Sequence, residues 1–195
     1  MMSESRMTQL RLVSSQPSPP RHTPAVQGDH PCLEAYRLEF DYLARTLRRL
    51  GVRRDDVEDL AHDVFLVLYQ AWDKYDPARP LRAYLFGIAF RVAANYRRKL
   101  RKERHFTLID VDTVEMRPDR AVEAFQARAT VLKALERIPL PRRAVFILHD
   151  IDQLPMAEIA STLSIYRFTG YSRLRKARQE FAAAVAALSR IGNEQ

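Results

Sequence analysis

The stretch Leu85–Arg104, LFGIAFRVAANYRRKLRKER, carries the pattern on which the rest of the fold depends. Its apolar residues recur at the spacing i, i+3, i+4, i+7, i+8 and i+11, which places them on one side of an α-helix. They are Leu85, Ile88, Ala89, Val92, Ala93 and Tyr96. This regularity predicts a helix that buries one face against a core.

The same predicted helix ends in a dense group of cations. They are Arg97, Arg98, Lys99, Arg101, Lys102 and Arg104, and only Glu103 opposes them. A helix dipole favours cations near the C-terminus, so a solvated basic face is one explanation. The mutual repulsion of six cations within eight residues exceeds what the dipole offsets, and we favour a surface that binds a polyanion such as nucleic acid.

The composition of the 195-residue chain indicates a globular protein with an anionic partner. Its 47% hydrophobic content suffices for a core, its net charge is +8, and its length allows one domain or two small ones. A single cysteine, Cys32, cannot form an intramolecular disulfide and fits a reducing compartment. His22 and His30 lie near Cys32, but no CxxC or HxxxH spacing supports a metal site, and we expect neither a metal nor a cofactor.

The chain lacks the features of a membrane or exported protein. No apolar run approaches the roughly 18 residues of a membrane span, so we expect no membrane insertion. Residues 1–8 mix charged and polar side chains and lack the apolar segment of a signal peptide. We therefore expect a cytoplasmic protein.

Helical periodicity on both sides of an acidic stretch predicts an all-α protein, with two small helical domains joined by a flexible acidic linker. Residues 1–31 are rich in Ser, Pro and Gln and are expected to form a disordered tail. Residues 32–105 form the predicted N-terminal helical domain, residues 106–122 the linker, and residues 123–190 the C-terminal domain.

Three main helices are expected in the N-terminal domain. The first ends at Leu50, with Gly51 as its C-cap. The second extends to Trp72 or Tyr75, before the two prolines of residues 76–80 interrupt the helical pattern. The basic helix is the third.

Residues 155–180 have the proportions of a helix-turn-helix, with a two-turn helix, a short break and a second amphipathic helix. The second helix carries Arg167, Arg173, Arg175, Lys176 and Arg178. In a major groove, its N-terminal residues would meet base edges and its cations would meet phosphates. An ordinary helical hairpin with a solvated face is the alternative, and the density of cations favours DNA.

Five short motifs occur in a characteristic order. The first three are Asp56–Phe65 (DVEDLAHDVF), Tyr84–Ala89 (YLFGIA) and Asn95–Arg98 (NYRR). The last two are Glu158–Ile165 (EIASTLSI) and Ser172–Arg178 (SRLRKAR). With an acidic linker between the groups, they resemble the two modules of bacterial RNA polymerase sigma factors of the extracytoplasmic-function class, the two-domain members of the sigma-70 superfamily. The resemblance covers approximately residues 33–188.

The resemblance implies a transcription initiation factor that binds core RNA polymerase and directs it to a two-element promoter, without enzymatic activity of its own. The second helix would contact polymerase through Asp59, Leu60, Asp63 and Val64. Carboxylates there would orient the complex and raise its on-rate. The same acidic residues would also stabilise the helix through its dipole. Many members have an anti-sigma partner, often linked to a membrane, and we expect one here beside polymerase and promoter DNA.

The resemblance also implies the DNA contacts. The basic helix and the proline loop would meet the −10 element through Arg79, Arg91, Asn95, Arg98 and Arg101. The second helix of the helix-turn-helix would meet the −35 element through Arg167, Thr169, Tyr171, Ser172, Arg173, Arg175 and Lys176. Trp72, Tyr75 and Tyr84 lie beside the loop, where an unstacked base could stack on an aromatic ring. For Trp72, burial in the core is the better expectation.

One position departs from the family pattern. Gly170 lies where members usually have an aliphatic residue, four positions before Leu174 on the buried face of the second helix. Glycine inside a helix costs about 1 kcal/mol relative to alanine. Two explanations are open: Tyr166 and Phe168 fill the space from the turn, or the helix begins late. In either case we expect Gly170→Val to stabilise the second domain.

Two other functions compete with this interpretation. A helix-turn-helix regulator that acts without polymerase would account for residues 155–180. It would not explain a common function for the acid-flanked second helix and the basic helix. A metal-dependent nuclease would use Asp56, Asp59, His62 and Asp63. Catalysis would need convergent ligands from other elements, and none is evident.

Overall fold

The computed structural model describes residues 30–104 and 120–193, and within them the fold consists of seven α-helices without a strand. The helices are α1 (Pro31–Leu50), α2 (Val57–Gln70), α3 (Leu81–Arg104), α4 (Arg120–Glu136), α5 (Leu140–Phe146), α6 (Met156–Thr162) and α7 (Arg167–Asn193). The prediction of an all-α fold is confirmed. None of these helices is both long and apolar enough to cross a lipid bilayer.

The ends of several helices differ from the sequence-based boundaries. α2 ends at Gln70, where the chain tightens into a 3₁₀ turn at Trp72–Lys74. Most of the expected tail (1–31) and most of the expected linker (106–122) lie outside the described residues. α4 begins at Arg120, so the last residues assigned to the linker are helical.

Gly51 ends α1 as the sequence predicts. Its φ of +92° lies in the left-handed region, which glycine adopts without a Cβ clash. The Gly51 N–H donates to the Arg48 carbonyl at 3.0 Å, and the Val52 N–H donates to the Leu47 carbonyl at 3.1 Å. These are the two hydrogen bonds of a Schellman motif, which satisfies carbonyls that a helix end otherwise leaves open.

The first three helices pack against one another around a common core. Its fully buried residues include Leu43, Leu47, Ala61, Val64, Leu68, Leu85, Phe86 and Ala89. On α3 the predicted apolar stripe is confirmed over most of its length, although Val92 and Tyr96 are only half-buried. Burial of this stripe fixes which face of α3 remains in solvent.

The last four helices form a second group, in which α7 contacts the other three. Its buried residues include Leu135, Ile138, Val145, Ile147, Leu148, Ile159 and Ala177. The rings of Phe146 and Phe181 join the α5 segment to α7, with their centroids 4.9 Å apart. A π-helical turn at Ile147–Ile151 extends α5 toward α6.

The two groups of helices also contact each other, and the helices from Pro31 onward form one compact unit. α1 packs against α4 and α5, and α3 packs against α6. The Tyr42 hydroxyl on α1 donates to Asp152 Oδ2 at 2.8 Å, and Arg49 Nη1 lies 3.4 Å from Asp152 Oδ1. The Asp152 carboxylate therefore ties α1 to the segment between α5 and α6.

Arg143 lies at the junction of the two groups and is the largest fully buried side chain among the described residues. Its guanidinium donates to the carbonyls of Leu50 at 2.9 Å, Glu136 at 2.7 Å and Ile138 at 3.0 Å. The ends of α1 and α4 supply these carbonyls, and helix C-termini carry partial negative charge. Burial is the main reason that the pKa of Arg143 is lowered to about 10, and the nearby Arg97 adds to this effect.

Candidate nucleic-acid interface

The outer face of α3 presents the residues predicted for the −10 element. Arg91, Asn95, Arg98 and Arg101 are all exposed, at intervals of three or four residues. Arg98 Nη2 donates to Asn95 Oδ1 at 3.0 Å, and Arg91 Nε donates to the Gly87 carbonyl at 2.9 Å. Neither contact neutralises the guanidinium charge, so both arginines remain suited to a phosphate partner.

The cationic end of α3 borders an open cleft of about 600 Å³. The cleft is lined by Ala94, Arg97, Arg98, Arg101, Lys102, Pro139, Leu140 and Pro141. Nearby, Lys99 lies 4.0 Å from Glu103 along the exposed helix, and such a surface ion pair contributes little. Cations therefore dominate the charge of this surface, as the sequence predicts.

Three aromatic residues stand in a row beside the loop that precedes α3. The ring centroids of Trp72 and Tyr75 are 5.5 Å apart, and those of Tyr75 and Tyr84 are 5.2 Å apart. All three residues are half-buried, so Trp72 is partly buried, as expected, and each of the three keeps some accessible surface. The Tyr75 hydroxyl donates to the Arg79 carbonyl at 2.8 Å, which joins the row to the loop. Rings with accessible surface can stack on a base that has left the duplex.

Arg79 reaches from this loop to α6. Its Nη2 hydrogen-bonds to Ser161 Oγ. Close by, a Cβ atom on Gly87 of α3 would lie 3.4 Å from the Thr162 carbonyl oxygen. Between these contacts the loop, α3 and α6 enclose a cleft of about 410 Å³. In this conformation the first helix of the helix-turn-helix therefore covers part of the surface predicted to meet the −10 element.

The exposed face of α2 carries two of the residues predicted to contact polymerase. Asp59 and Asp63 are exposed and four residues apart, and Leu60 is half-buried between them. Val64 is fully buried, because it belongs to the same apolar stripe as Ala61. The prediction that Val64 contacts a partner is therefore wrong for this conformation, and its side chain packs in the core instead.

Three side chains tie the start of α2 to the basic helix. Arg53 Nε donates to Asp56 Oδ2 at 2.8 Å, and the Tyr96 hydroxyl donates to the same oxygen at 2.5 Å. The hydrogen bonds from Arg53 and Tyr96 lower the pKa of Asp56. Asp56 thus serves a structural role. Within the described residues, no group of three or more His, Cys, Asp or Glu side chains is placed to hold the metal ion of a nuclease.

The helix-turn-helix consists of α6, the turn at residues 163–166 and α7. Gly170, Leu174 and Ala177 form the buried side of α7. The exposed candidates for the −35 element are Arg167, Tyr171, Ser172, Arg175 and Lys176, and the half-buried ones are Thr169 and Arg173. All seven candidates therefore lie in the N-terminal half of α7 with some accessible surface, where a recognition helix meets base edges.

Met156, the first residue of α6, occupies the space beside Gly170. Both explanations offered by the sequence for this glycine are wrong. Tyr166 and Phe168 do not fill the space, since they are 87% and 85% exposed, and α7 begins without delay at Arg167. The glycine instead permits a close approach of the two helices of the motif.

Two ion pairs fix α7 against the α5 segment. Arg142 Nε and Nη2 donate to the two carboxylate oxygens of Glu180 at 2.9 and 2.6 Å. Arg178 Nε and Nη2 donate to those of Asp150 at 2.8 and 2.7 Å. The hydrogen bonds from Arg178 are the main cause of the lowered pKa of Asp150, and His149 adds to it. Arg178, which the sequence groups with the DNA-facing cations, is therefore committed to an intramolecular carboxylate.

Both groups of helices match known family models. Residues 35–103 match the model described as Sigma-70 region 2, and residues 128–181 match the model described as Sigma-70, region 4. The first match spans α1 to α3 with the candidates for the −10 element. The second includes α6, the turn and α7 as far as residue 181, and so contains all of the candidates for the −35 element.

Several characterised proteins are similar over most of the chain. The RNA polymerase sigma factor NccH of Alcaligenes xylosoxydans xylosoxydans is 30% identical over 148 residues, which cover 72% of this chain and 79% of that protein. The RNA polymerase sigma factor CnrH of Cupriavidus metallidurans is 30% identical over 156 residues, covering 74% and 81%. The ECF RNA polymerase sigma-E factor of Escherichia coli K12 is 24% identical over 177 residues, covering 84% and 92%.

Two solved structures are also similar. One is CnrH in complex with the cytosolic domain of CnrY, with a TM-score of 0.58 and 25% identity, covering 80% of this chain and 88% of that chain. The other is the sigma factor RpoE in complex with the anti-sigma factor NepR from Bartonella quintana, with a TM-score of 0.64 and 19% identity, covering 79% and 96%. The second similarity is one of fold alone.

Proposed function

From the premise that this chain belongs to the RNA polymerase sigma factors, and to their extracytoplasmic-function class, we propose which of its surfaces carries each part of that function. A sigma factor acts with core RNA polymerase in promoter recognition and transcription initiation. We assign the −10 element and polymerase to residues 32–105 and the −35 element to residues 123–190. The observation that carries the assignment is that the cations of α3 and α7 stay exposed on helices whose opposite faces are buried.

We assign polymerase docking to the exposed acidic side of α2. Asp59 and Asp63 lie on one side of the helix, and neither takes part in an ion pair within the described residues. Unpaired carboxylates attract a basic surface, so they raise the association rate and make it salt-dependent. Leu60, half-buried beside them, supplies apolar contact area at the same site.

The −10 element is assigned to α3 and the aromatic row. Asn95 has an amide that can pair with an adenine edge, whereas Arg91, Arg98 and Arg101 suit phosphates. A base that leaves the duplex would stack on an accessible ring of the row. Stacking contributes about 1–3 kcal/mol per base, which offsets much of the few kcal/mol that unstacking costs.

Promoter binding requires the two groups of helices to separate in part. The hydrogen bond of Arg79 with Ser161 and the packing of α6 against α3 beside Gly87 cover part of the −10 surface. We infer that these contacts break when the protein docks on polymerase and DNA, because α6 otherwise covers part of the surface that the −10 element would occupy. Tethering both modules through polymerase then raises their effective concentration at the two promoter elements.

We further propose that the protein acts in the cytoplasm, that polymerase supplies all of the chemistry, and that an anti-sigma factor regulates it. The similar RpoE structure is a complex with the anti-sigma factor NepR, and the similar CnrH structure is a complex with the cytosolic domain of CnrY. A partner of this kind would compete with polymerase or DNA for the surfaces described above.

In vitro transcription with a bacterial core RNA polymerase and a promoter library tests this function. The full chain should co-purify with core polymerase and direct transcription from a subset of promoters. The double variant Asp59→Lys and Asp63→Lys should lower co-purification about tenfold at low salt. Asp41→Lys, at an exposed acid on α1, is the matched control. A folded protein that neither binds polymerase nor directs it to promoters would overturn the assignment. Tight specific DNA binding by the chain alone would favour the alternative of a helix-turn-helix regulator that acts without polymerase.

A further inference from the structure

Three aromatic side chains stand exposed where α7 begins. Of the six large hydrophobic residues that are exposed within the described ranges, three fall between positions 166 and 171. Tyr166 is 87% exposed, Phe168 85% and Tyr171 58%. Scattered single apolar residues on a surface need no explanation, but three exposed rings within six positions of the chain are a concentration that favours a binding surface.

The surroundings of these rings are strongly basic. Arg167, Arg175 and Lys176 are exposed close by in the same helix. The sequence contains no Asp or Glu between Glu158 and Glu180. The positive charge repels a cationic partner, and it would not strengthen the binding of an uncharged apolar protein surface. The combination of rings and unopposed cations favours a polyanion that also presents apolar groups, and duplex DNA has this chemistry.

The order of side chains along α7 fits a major groove. Phe168, Tyr171, Ser172 and Arg175 recur at the spacing i, i+3, i+4 and i+7, so they line one side of the helix. In an intact duplex the bases remain stacked, and a ring in the groove meets only their edges. The apolar group on a major-groove edge is the C5-methyl group of thymine.

We propose that Phe168, flanked by Tyr166, recognises thymine in the −35 element through the C5-methyl group. This inference rests on the proposed function, because it assigns the −35 element to the helix-turn-helix. The neighbouring cations hold phosphates and carry no base preference, whereas the rings favour thymine over a base without the methyl group. Burial of one methyl group against a ring corresponds to about three- to fivefold in binding.

The test uses the full chain with core polymerase and a −35 element that this holoenzyme selects from a randomised library. Each thymine is then replaced by deoxyuridine, which keeps the base pair but lacks the methyl group. With the native protein, at least one replacement should reduce open-complex formation about three- to fivefold. Phe168→Ala should reduce open-complex formation on the thymine template by a similar factor. Replacing that thymine by deoxyuridine should then cause no further reduction.

Tyr166→Ala tests the flanking ring in the same way. Val131→Ala, at an exposed apolar residue on α4, is the matched control and should behave like the native protein. Phe168→Leu, which keeps apolar surface, should retain part of the response to deoxyuridine.

Three results would overturn the methyl contact. They are equal deoxyuridine sensitivity in the native and Phe168→Ala proteins, a selected element without thymine, and loss of polymerase binding in Phe168→Ala. The last result would show that the rings dock on protein. If no promoter responds to the native protein, the proposed function fails and this inference fails with it, a result distinguishable from the other three.

Discussion

Met156 of α6 takes the place of the side chain that Gly170 of α7 lacks. Its Sδ atom lies closer to the position of a Cβ atom on Gly170 than a van der Waals contact allows, and its Cγ atom lies 3.5 Å from that position. Met156 is only 5% exposed, so the thioether is held between the two helices. The helices of the DNA-binding motif therefore meet through a methionine–glycine contact, and the orientation in which α7 is presented depends on this pair.

Gly170→Val should lower the free energy of unfolding by roughly 1–3 kcal/mol, because the valine side chain overpacks against Met156. This reverses the stabilisation that helix propensity predicts for the same substitution. In a Met156→Ala background, Gly170→Val should instead be neutral or stabilising, since the space is free and valine forms helix better than glycine. Urea unfolding of the four proteins measures the coupling. Additive effects would show that the two side chains do not compete for one space.

Arg143→Ala should lower the free energy of unfolding by about 3–5 kcal/mol, because it leaves buried carbonyls at two helix ends without a donor. Arg143→Lys should recover only part of the loss, since an ammonium group cannot span carbonyls that a planar guanidinium reaches. The exposed Arg137→Ala is the control and should change stability by less than about 0.5 kcal/mol. A cost below about 1 kcal/mol for Arg143→Ala would contradict the role of the buried cation.

Asp152→Asn should raise the free energy of unfolding at pH 7, by less than about 2 kcal/mol. Burial raises the pKa of Asp152, against opposing contributions from Tyr42 and Arg49. Folding therefore penalises the charged form, and the penalty is absent below the ordinary pKa of about 3.9 and grows as pH rises through the raised value. Asparagine removes the charge but keeps an oxygen that can accept from Tyr42.

The stability difference between the native protein and Asp152→Asn should therefore shrink as the pH is lowered toward 4. Urea unfolding at several pH values measures it. Destabilisation by Asp152→Asn at pH 7 would mean that the attraction of Arg49 outweighs the cost of burying the carboxylate.

Arg175→Ala and Arg178→Ala should affect DNA binding differently, although both residues lie on α7. Arg175 is exposed and forms no ion pair within the described residues, whereas Arg178 is bound to Asp150. Arg175→Ala should reduce the slope of log K against log salt by about 1, and Arg178→Ala by only a fraction of that. Binding of the holoenzyme to promoter DNA over a salt series gives both slopes, and equal slopes would contradict this distinction.

Arg178→Ala should instead lower stability in a pH-dependent way. The pKa of Asp150 is lowered in the folded protein, chiefly by Arg178. The stabilisation is therefore fully present above the ordinary pKa of Asp and is lost as the pH falls through the lowered value. The stability difference between native and Arg178→Ala proteins, followed by urea unfolding from pH 7 to pH 3, should decrease toward acid. A difference that does not change with pH would exclude the ion pair as its source.

The local pattern of the amino-acid sequence predicts most of the fold and those site residues that are exposed. The stripe from Leu85 to Ala93 identifies the buried face of α3, and Gly51 identifies the end of α1, because each depends on neighbours within one helical turn. The family resemblance assigns Val64 to a polymerase contact, whereas the apolar stripe of α2 places its side chain in the core, where the structure has it. How far Trp72 is buried depends on which helices pack around it, and a periodic pattern does not contain that information.

The amino-acid sequence by itself determined that the chain is helical, where the main breaks between its helices lie, and that two of the helices are rich in cations. Only the tertiary structure decided which of those cations remain free and what occupies the space beside Gly170. Arg143 meets the Leu50 carbonyl across 93 residues, and Arg178 meets Asp150 across 28. Such pairings depend on how whole helices dock, and many arginines could satisfy the same local pattern, so only the packed chain selects the partners.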